Sequence, residues 1–276
     1  VSVGVRRGPI GAVAEVWAYR NLVLNLAQRE LRSRYKKSVL GWLWSLINPA
    51  SSLLVYSFVF GVFLRVEPPE MANGEKSFAL YLFCALVMWN FFSQVVNGSM
   101  SALATSGSLL HKVYFPAACP AIANVLTTLI QIAIEMAILI VVMIVVGNVS
   151  WTFLLLPVAV ALLAVFSLGV GLAVSMFNVF FRDVGYLVAV VLNIWFYATP
   201  IVYTLEYVKD YLGEDRLWIW ELNPLTQFVE LSRDLLYLHT IPSPTRWAYV
   251  VLVSFGTLAL GWWIFERKAR ELAEEL

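Results

Sequence analysis

The sequence predicts an all-α integral membrane protein: six transmembrane helices, an N-terminal amphipathic interfacial helix, and two short re-entrant helices in the last external segment. Three observations carry that prediction. Hydrophobic residues make up 61% of the 276 and charged residues 13%, with mean hydropathy +0.77, far too apolar for a soluble domain of this length. Largely apolar runs of more than about 18 residues recur, the length a spanning helix needs. No segment shows the strict alternation over about ten residues that marks a transmembrane β-strand. There is no internal repeat, so 1–276 reads as a single transmembrane domain. Cys84 and Cys119 fall in or beside spans and behave as small buried hydrophobes rather than as a disulfide or metal ligands.

The elements follow in order. Val1 to Arg20 lacks an apolar stretch with a small-residue cleavage site, so a mildly basic lead-in is expected rather than a cleavable signal. The interfacial helix is placed at 13–37. Within Gln28 to Lys37 five residues are basic, Arg29, Arg32, Arg34, Lys36 and Lys37, while Leu31 and Tyr35 stack with Leu24 and Ala27 on an apolar face. Such a helix lies flat on a membrane with its cations among anionic headgroups. Span one covers 39–64, with Trp42 and Trp44 at anchoring depth and a kink or tilt at Asn48-Pro49. Span two covers 78–104 and turns polar after Phe92 through Ser93, Gln94, Asn97 and Ser99. A polar segment from Thr105 to Phe115 precedes span three, 117–146, and Gly147 to Ser150 turns into span four, 151–180. Arg182-Asp183 marks a loop before span five, 184–203. Span six is 247–265, ahead of a short charged helix from Glu266.

The external segment 204–244 is more than a loop. Asn223-Pro224 supplies a helix cap and a first-turn proline, and Leu217 to Leu222 is apolar but too short to span. Two short helices dipping into the bilayer would satisfy their own backbone; a helical hairpin resting on the surface is the alternative. Charge sets the orientation. With the N-terminus inside, 13 of the 19 Lys and Arg residues fall on the inner side, and six spans return the C-terminus to the cytoplasm.

Few side chains suggest chemistry. Glu135 is the lone mid-span carboxylate, with Gln131 one turn earlier; it either faces a substrate path or bonds a neighbouring span as a neutral acid. His111 and His239 lie in loops on opposite sides, each solvated, and form no metal site. Asn97-Gly98-Ser99 and Asn148-Val149-Ser150 match the glycosylation pattern formally, the first within a span. No G-x-x-x-x-G-K-[ST] occurs, so the chain builds no nucleotide cradle, and nothing points to nucleic acid. Any energy source is a partner or an ion gradient.

Four stretches together carry a resemblance: RELRSRYKKSVLGWLWSLINP from Arg29, SLLHKVYFP from Ser108, FNVFFRDV from Phe177 and NPLTQFVELSRDLLY from Asn223. They resemble the permease subunits of polysaccharide-exporting ABC transporters, the Wzm-type O-antigen group and the teichoic-acid and capsule exporters. The resemblance implies a homodimer of this chain, bound to two copies of an ATP-binding-cassette subunit that holds ATP and Mg, with no cofactor in this chain. It implies export of a lipid-linked polysaccharide, such as an O-antigen, galactan or teichoic-acid-like glycan, across the bacterial plasma (inner) membrane. A membrane-embedded enzyme or a gradient-driven carrier for a lipid-linked sugar is the alternative.

Site roles follow from that resemblance. Arg29, Arg32, Arg34, Lys36 and Lys37 would attract the lipid diphosphate as well as membrane lipid headgroups. Leu109, Leu110, Lys112, Val113, Tyr114 and Phe115 would seat on the ATPase, with Arg182 and Asp183 as a second contact. Tyr56, Phe60, Phe63, Trp195 and Tyr197 would line the channel, their rings stacking on sugar faces without holding any one register; packing or lipid contact is the plainer role for each.

Overall fold

The computed structural model describes residues 15–35, 44–110, 115–181 and 183–275, and every regular element among them is helical. Helix α1 (Arg20–Tyr35) precedes α2 (Trp44–Tyr56), which runs through Asn48-Pro49 and widens into a π-helical turn at Ser57–Phe63. The long helices α3 (Phe78–Leu110), α4 (Cys119–Val145) and α5 (Leu156–Phe180) follow, α5 being entered through a 3-10 turn at Trp151–Leu155. After α6 (Val184–Ala198) come α7 (Leu205–Leu212), α8 (Trp218–Glu221), α9 (Pro224–Arg233) and α10 (Pro244–Glu275). Among the described residues four stretches are long and apolar enough to cross a membrane: Phe78–Thr105, Cys119–Val145, Trp151–Phe180 and Pro244–Lys268. Ala50–Phe63 and Val184–Ala198 are shorter apolar helices.

Three boundaries differ from expectation, each for a local reason. Helix α3 continues past Ala104 to Leu110, and the Ser101 and Thr105 hydroxyls donate to carbonyls one turn back, Asn97 O at 3.1 Å and Ser101 O at 2.9 Å. Polar residues satisfied this way stay helical. Helix α6 stops at Ala198 rather than Tyr203, because Thr199 precedes Pro200 and is extended, φ −101° and ψ 137°. Helix α10 joins the sixth span and the charged tail without a break.

The first half of α3 is the hub. Leu82, Cys84, Ala85, Val87 and Phe92 lose all exposure between α4, α5 and α9. Helices α5 and α10 touch backbone to backbone, since a Cβ on Gly261 would fall 1.9 Å from the Gly169 carbonyl oxygen.

Residues 223–238 of the segment 204–244 are packed into the bundle, while α7 and α8 are largely exposed. Instead of two helices the segment forms α7, a 3-10 turn at Glu214–Arg216, α8, and α9 prolonged by a π-helical turn at Asp234–Leu238. Asn223 caps α9 by accepting from the Leu225 N–H at 3.1 Å. Leu225, Phe228, Val229, Leu231, Leu235, Leu236 and Tyr237 are buried in the core that holds α3, so this part of the segment does not rest on the surface as a hairpin arm. Arg233 is fully buried behind them. Its guanidinium donates to Pro200 O at 2.6 Å, Ile201 O at 2.9 Å, Tyr81 O at 3.4 Å and Glu230 Oε1 at 2.8 Å, and it lies 3.6 Å over the Tyr81 ring. Asp234 pairs with Arg246 of α10. The loops at 65–77 and 146–150 reach the same end of the bundle, where Asn148 donates to Leu236 O and Tyr237 O. His239, expected in solvent, is turned edge-on to Phe153 with Nε2 buried, and burial holds its pKa below the ordinary value.

Candidate functional site

At the opposite end, two sequence patterns face each other. Helix α1 is amphipathic, and Val23, Leu26 and Ala27 bury its apolar side against Phe115, Cys119 and Ala123. That seating leaves Arg29 and Arg32 exposed. The second half of α3 repeats a polar side chain every fourth residue, Ser93, Asn97, Ser101 and Thr105, which places all four on one face over roughly 18 Å. Between them lies a groove of ≈ 460 Å³. Helix α1 contributes Leu26, Arg29 and Glu30; α3 contributes the polar face with Gln94; α4 contributes Pro120, Ala123 and Asn124.

The floor of the groove is a fitted joint. Asn124 Nδ2 donates to Val95 O at 3.1 Å, and the Asn124 carbonyl accepts from Thr127 and Thr128 hydroxyls at 2.7 and 2.9 Å. Asn124 Oδ1 occupies the notch left by Gly98, where a Cβ would come within 2.2 Å of it. A side chain at position 98 would displace the Asn124 amide and with it the bond to Val95 O. Arg29 forms no ion pair among the described residues, so its guanidinium stands free at the rim. A guanidinium facing the hydroxyls and amides of α3, with the Glu30 carboxylate as the one acidic group among the described lining residues, suits a ligand that carries an anion at one end and neutral polar groups at the other.

The other sequence-derived candidates fall as follows. Arg34 continues α1, but its side chain, like Lys36 and Lys37, lies outside the described residues. Leu109 and Leu110 close α3, their side chains outside the described set together with Lys112, Val113, Tyr114 and Arg182. Phe115 was expected to reach outward to a partner; it is buried beneath α1, because the apolar face of α1 covers it. Asp183 is exposed ahead of α6.

Of the aromatic set, Tyr56 is stacked on Phe196 at 5.8 Å, with Phe60 tilted against it at 6.3 Å. Tyr197 is exposed and meets Phe196 edge-on at 5.1 Å. Phe63, 77% exposed, stands one turn beyond. Trp195 turns inward, donating from Nε1 to Asn223 Oδ1 at 2.8 Å and meeting Phe92 edge-on. The structure thus gathers Tyr56 and Tyr197 around Phe196, with Phe60 against Tyr56, and Trp195 holds α6 on α9.

Glu135 is buried on α4 beside Ile132, Met136 and Leu139, away from the groove. Gln131 bonds its carboxyl, and Oε1 has no partner. No group of three His, Cys, Asp or Glu side chains suited to a metal occurs among the described residues.

Sequence reasoning missed the Gly98–Asn124 joint, the burial of Arg233 and the inward turn of Phe115. The four-residue spacing of polar side chains from Ser93 to Thr105 was the signal available for the groove.

Comparison with known proteins agrees with this architecture. Residues 21–237 match the family model described as ABC-2 type transporter. The chain is 32% identical over 268 residues, 97% of its length and all of the relative's, to the O-antigen export system permease protein RfbA of Myxococcus xanthus. It is 27% identical to the protein of the same name from Klebsiella pneumoniae, over 93% of this chain and 95% of that one. To the polysialic acid transport protein KpsM of Escherichia coli it is 26% identical, over 84% and 88%.

Proposed function

The chain belongs to the ABC-2 type transporter family as a permease, and from that premise we propose that it forms the channel of a lipid-linked polysaccharide exporter. Two copies would assemble with two ATP-binding subunits, which hold the nucleotide and Mg, in the bacterial plasma membrane. The whole chain would act as one permease domain. The four long helices, with α2 and α6, would make six crossings with both termini in the cytoplasm. That orientation puts the Arg233 end outside and the groove inside, where a lipid-linked glycan is made and ATP is available. The glycan would be an O-antigen, galactan or related polymer.

The observation that carries this reading is the Arg29 guanidinium at the rim of a groove whose α3 wall carries neutral polar side chains. Arg29 and Arg32, with Arg34, Lys36 and Lys37 further along the same basic stretch, would gather the diphosphate of the lipid carrier. Tyr56, Phe60, Phe63 and Tyr197 would present rings to the moving polymer, while Trp195 supports the wall behind them. Leu109, Leu110, Lys112, Val113, Tyr114, Arg182 and Asp183 would meet the ATPase. Phe115 would carry that contact to α1, which it touches.

The test uses the permease–ATPase complex in nanodiscs. Replacing Arg29 and Arg32 with Gln should lower ATPase stimulation by a lipid diphosphate by roughly tenfold in half-saturation, as loss of a charge-assisted bond implies. Equal loss of basal and stimulated activity would assign these residues to membrane anchoring instead.

A further inference from the structure

The groove holds more than an anchor for a diphosphate. We propose that its α3 wall, Gln94, Asn97 and Ser101, binds the neutral sugar residues next to the diphosphate and selects the glycan at the entrance. This rests on the reading of Arg29 as the diphosphate contact.

Unused hydrogen-bonding capacity is the first argument. Gln94 makes no hydrogen bond among the described residues, although it lines the groove. Asn97 places one N–H on Ser93 O at 2.9 Å, which leaves its side-chain oxygen and its second N–H free. The Ser101 hydroxyl donates to Asn97 O and keeps its lone pairs. The wall therefore offers donors and acceptors in alternation, the complement of a ring bearing several hydroxyls.

The polar part of the lining argues against other occupants. Leu26, Ala102, Pro120 and Ala123 supply an apolar part, but an acyl chain laid along α3 would leave Ser93, Gln94, Asn97, Ser101 and Thr105 without partners. A polyanion needs several cations, and among the described residues Arg29 is the single basic residue of the lining, with Glu30 beside it. Among the described residues no aromatic ring lines the groove, so recognition by these side chains depends on hydrogen bonds rather than stacking. A volume of ≈ 460 Å³ lies within the range of small-ligand sites. The Gly98–Asn124 joint keeps the floor of the groove in place by locking α4 to α3. A site built to bond hydroxyls rejects a ligand lacking them far more strongly than a ring-lined pore does.

The experiment compares three probes on the permease–ATPase complex in nanodiscs: farnesyl diphosphate, and the same lipid bearing N-acetylglucosamine or N-acetylgalactosamine. The readout is the concentration that half-stimulates ATP hydrolysis. At least one sugar-bearing probe should half-saturate at a concentration about tenfold below the bare lipid. Gln94→Leu with Asn97→Leu should bring that ratio to about one. Ser101→Ala, a smaller change should the double variant fail to fold, should reduce it part of the way. Arg29→Gln should weaken all three probes. The proposal is overturned if neither sugar improves on the bare lipid, or if the α3 variants leave the ratio unchanged, as they would were the groove filled by a helix of a second copy. If Arg29→Gln affects none of the probes, the diphosphate reading fails instead.

Discussion

The two ends of the helical bundle use polar side chains in opposite ways. At the end where 65–77, 146–150 and 234–240 converge, polar groups join distant segments. Asn73 donates to Val146 O, Asn148 to Leu236 O and Tyr237 O, Thr152 to Leu235 O, and the Tyr237 hydroxyl to Pro69 O. At the groove end, apart from the Asn124 bond to Val95 O beneath the floor, Asn97, Ser101 and Thr105 bond only carbonyls of their own helix. Buried polar groups bonded across segments fix a fold, whereas exposed ones bonded within a helix leave capacity for a ligand. One end is therefore built for rigidity and the other for recognition, and substitutions at the two should differ in kind.

The largest effect is expected at Arg233. Arg233→Met removes a fully buried cation and leaves Glu230, Pro200 and Ile201 without their donor, a change that costs about 3–5 kcal/mol when one partner of a buried pair is lost. Denaturant titration of the detergent-solubilised protein measures it. A loss under about 1 kcal/mol would mean that this end is not locked by Arg233.

Next comes Asn148→Ala, which strips a donor from two buried carbonyls of the turn after α9 and should cost about 1–3 kcal/mol. Faster hydrogen exchange confined to 234–240 would show that the damage is local to that turn. Smaller again is Tyr237→Phe. The ring stays packed edge-on to Tyr81, while the hydroxyl that accepts from Ser77 N and donates to Pro69 O is lost, for about 1 kcal/mol.

What the sequence made legible divides along the same line. Local signals were readable: Asn223-Pro224 caps α9 through a bond spanning two residues, and the α1 charges follow from helical spacing. Arg233 was not, because its partners Tyr81, Pro200 and Ile201 lie 152, 33 and 32 residues away. The family resemblance implied a partner-facing place for Phe115, and nothing local shows that α1 folds back over it. The groove was half visible. Its polar stripe and its cations could be read separately, but their meeting depends on α1 lying against α4. The early end of α6 was available in Thr199-Pro200 and was outweighed by the apolar run that continues to Tyr203.

The smallest effect on stability, and the sharpest test of the contrast, belongs to Asn97→Ala. Asn97 is exposed, and its side chain makes one bond, to Ser93 O within α3. Alanine has the higher helix propensity, so it offsets part of what that bond contributes. The Gly98–Asn124 joint beside it does not involve the Asn97 side chain, and α4 should stay seated. The unfolding free energy should therefore move by no more than about 0.5 kcal/mol, the usual range for surface positions. The same denaturant titration, run beside Arg233→Met, gives the comparison directly. If Asn97→Ala destabilised the protein by several kcal/mol, the α3 stripe would be structural, its hydrogen-bonding capacity would already be taken up by the fold, and the groove would lose its claim to a ligand.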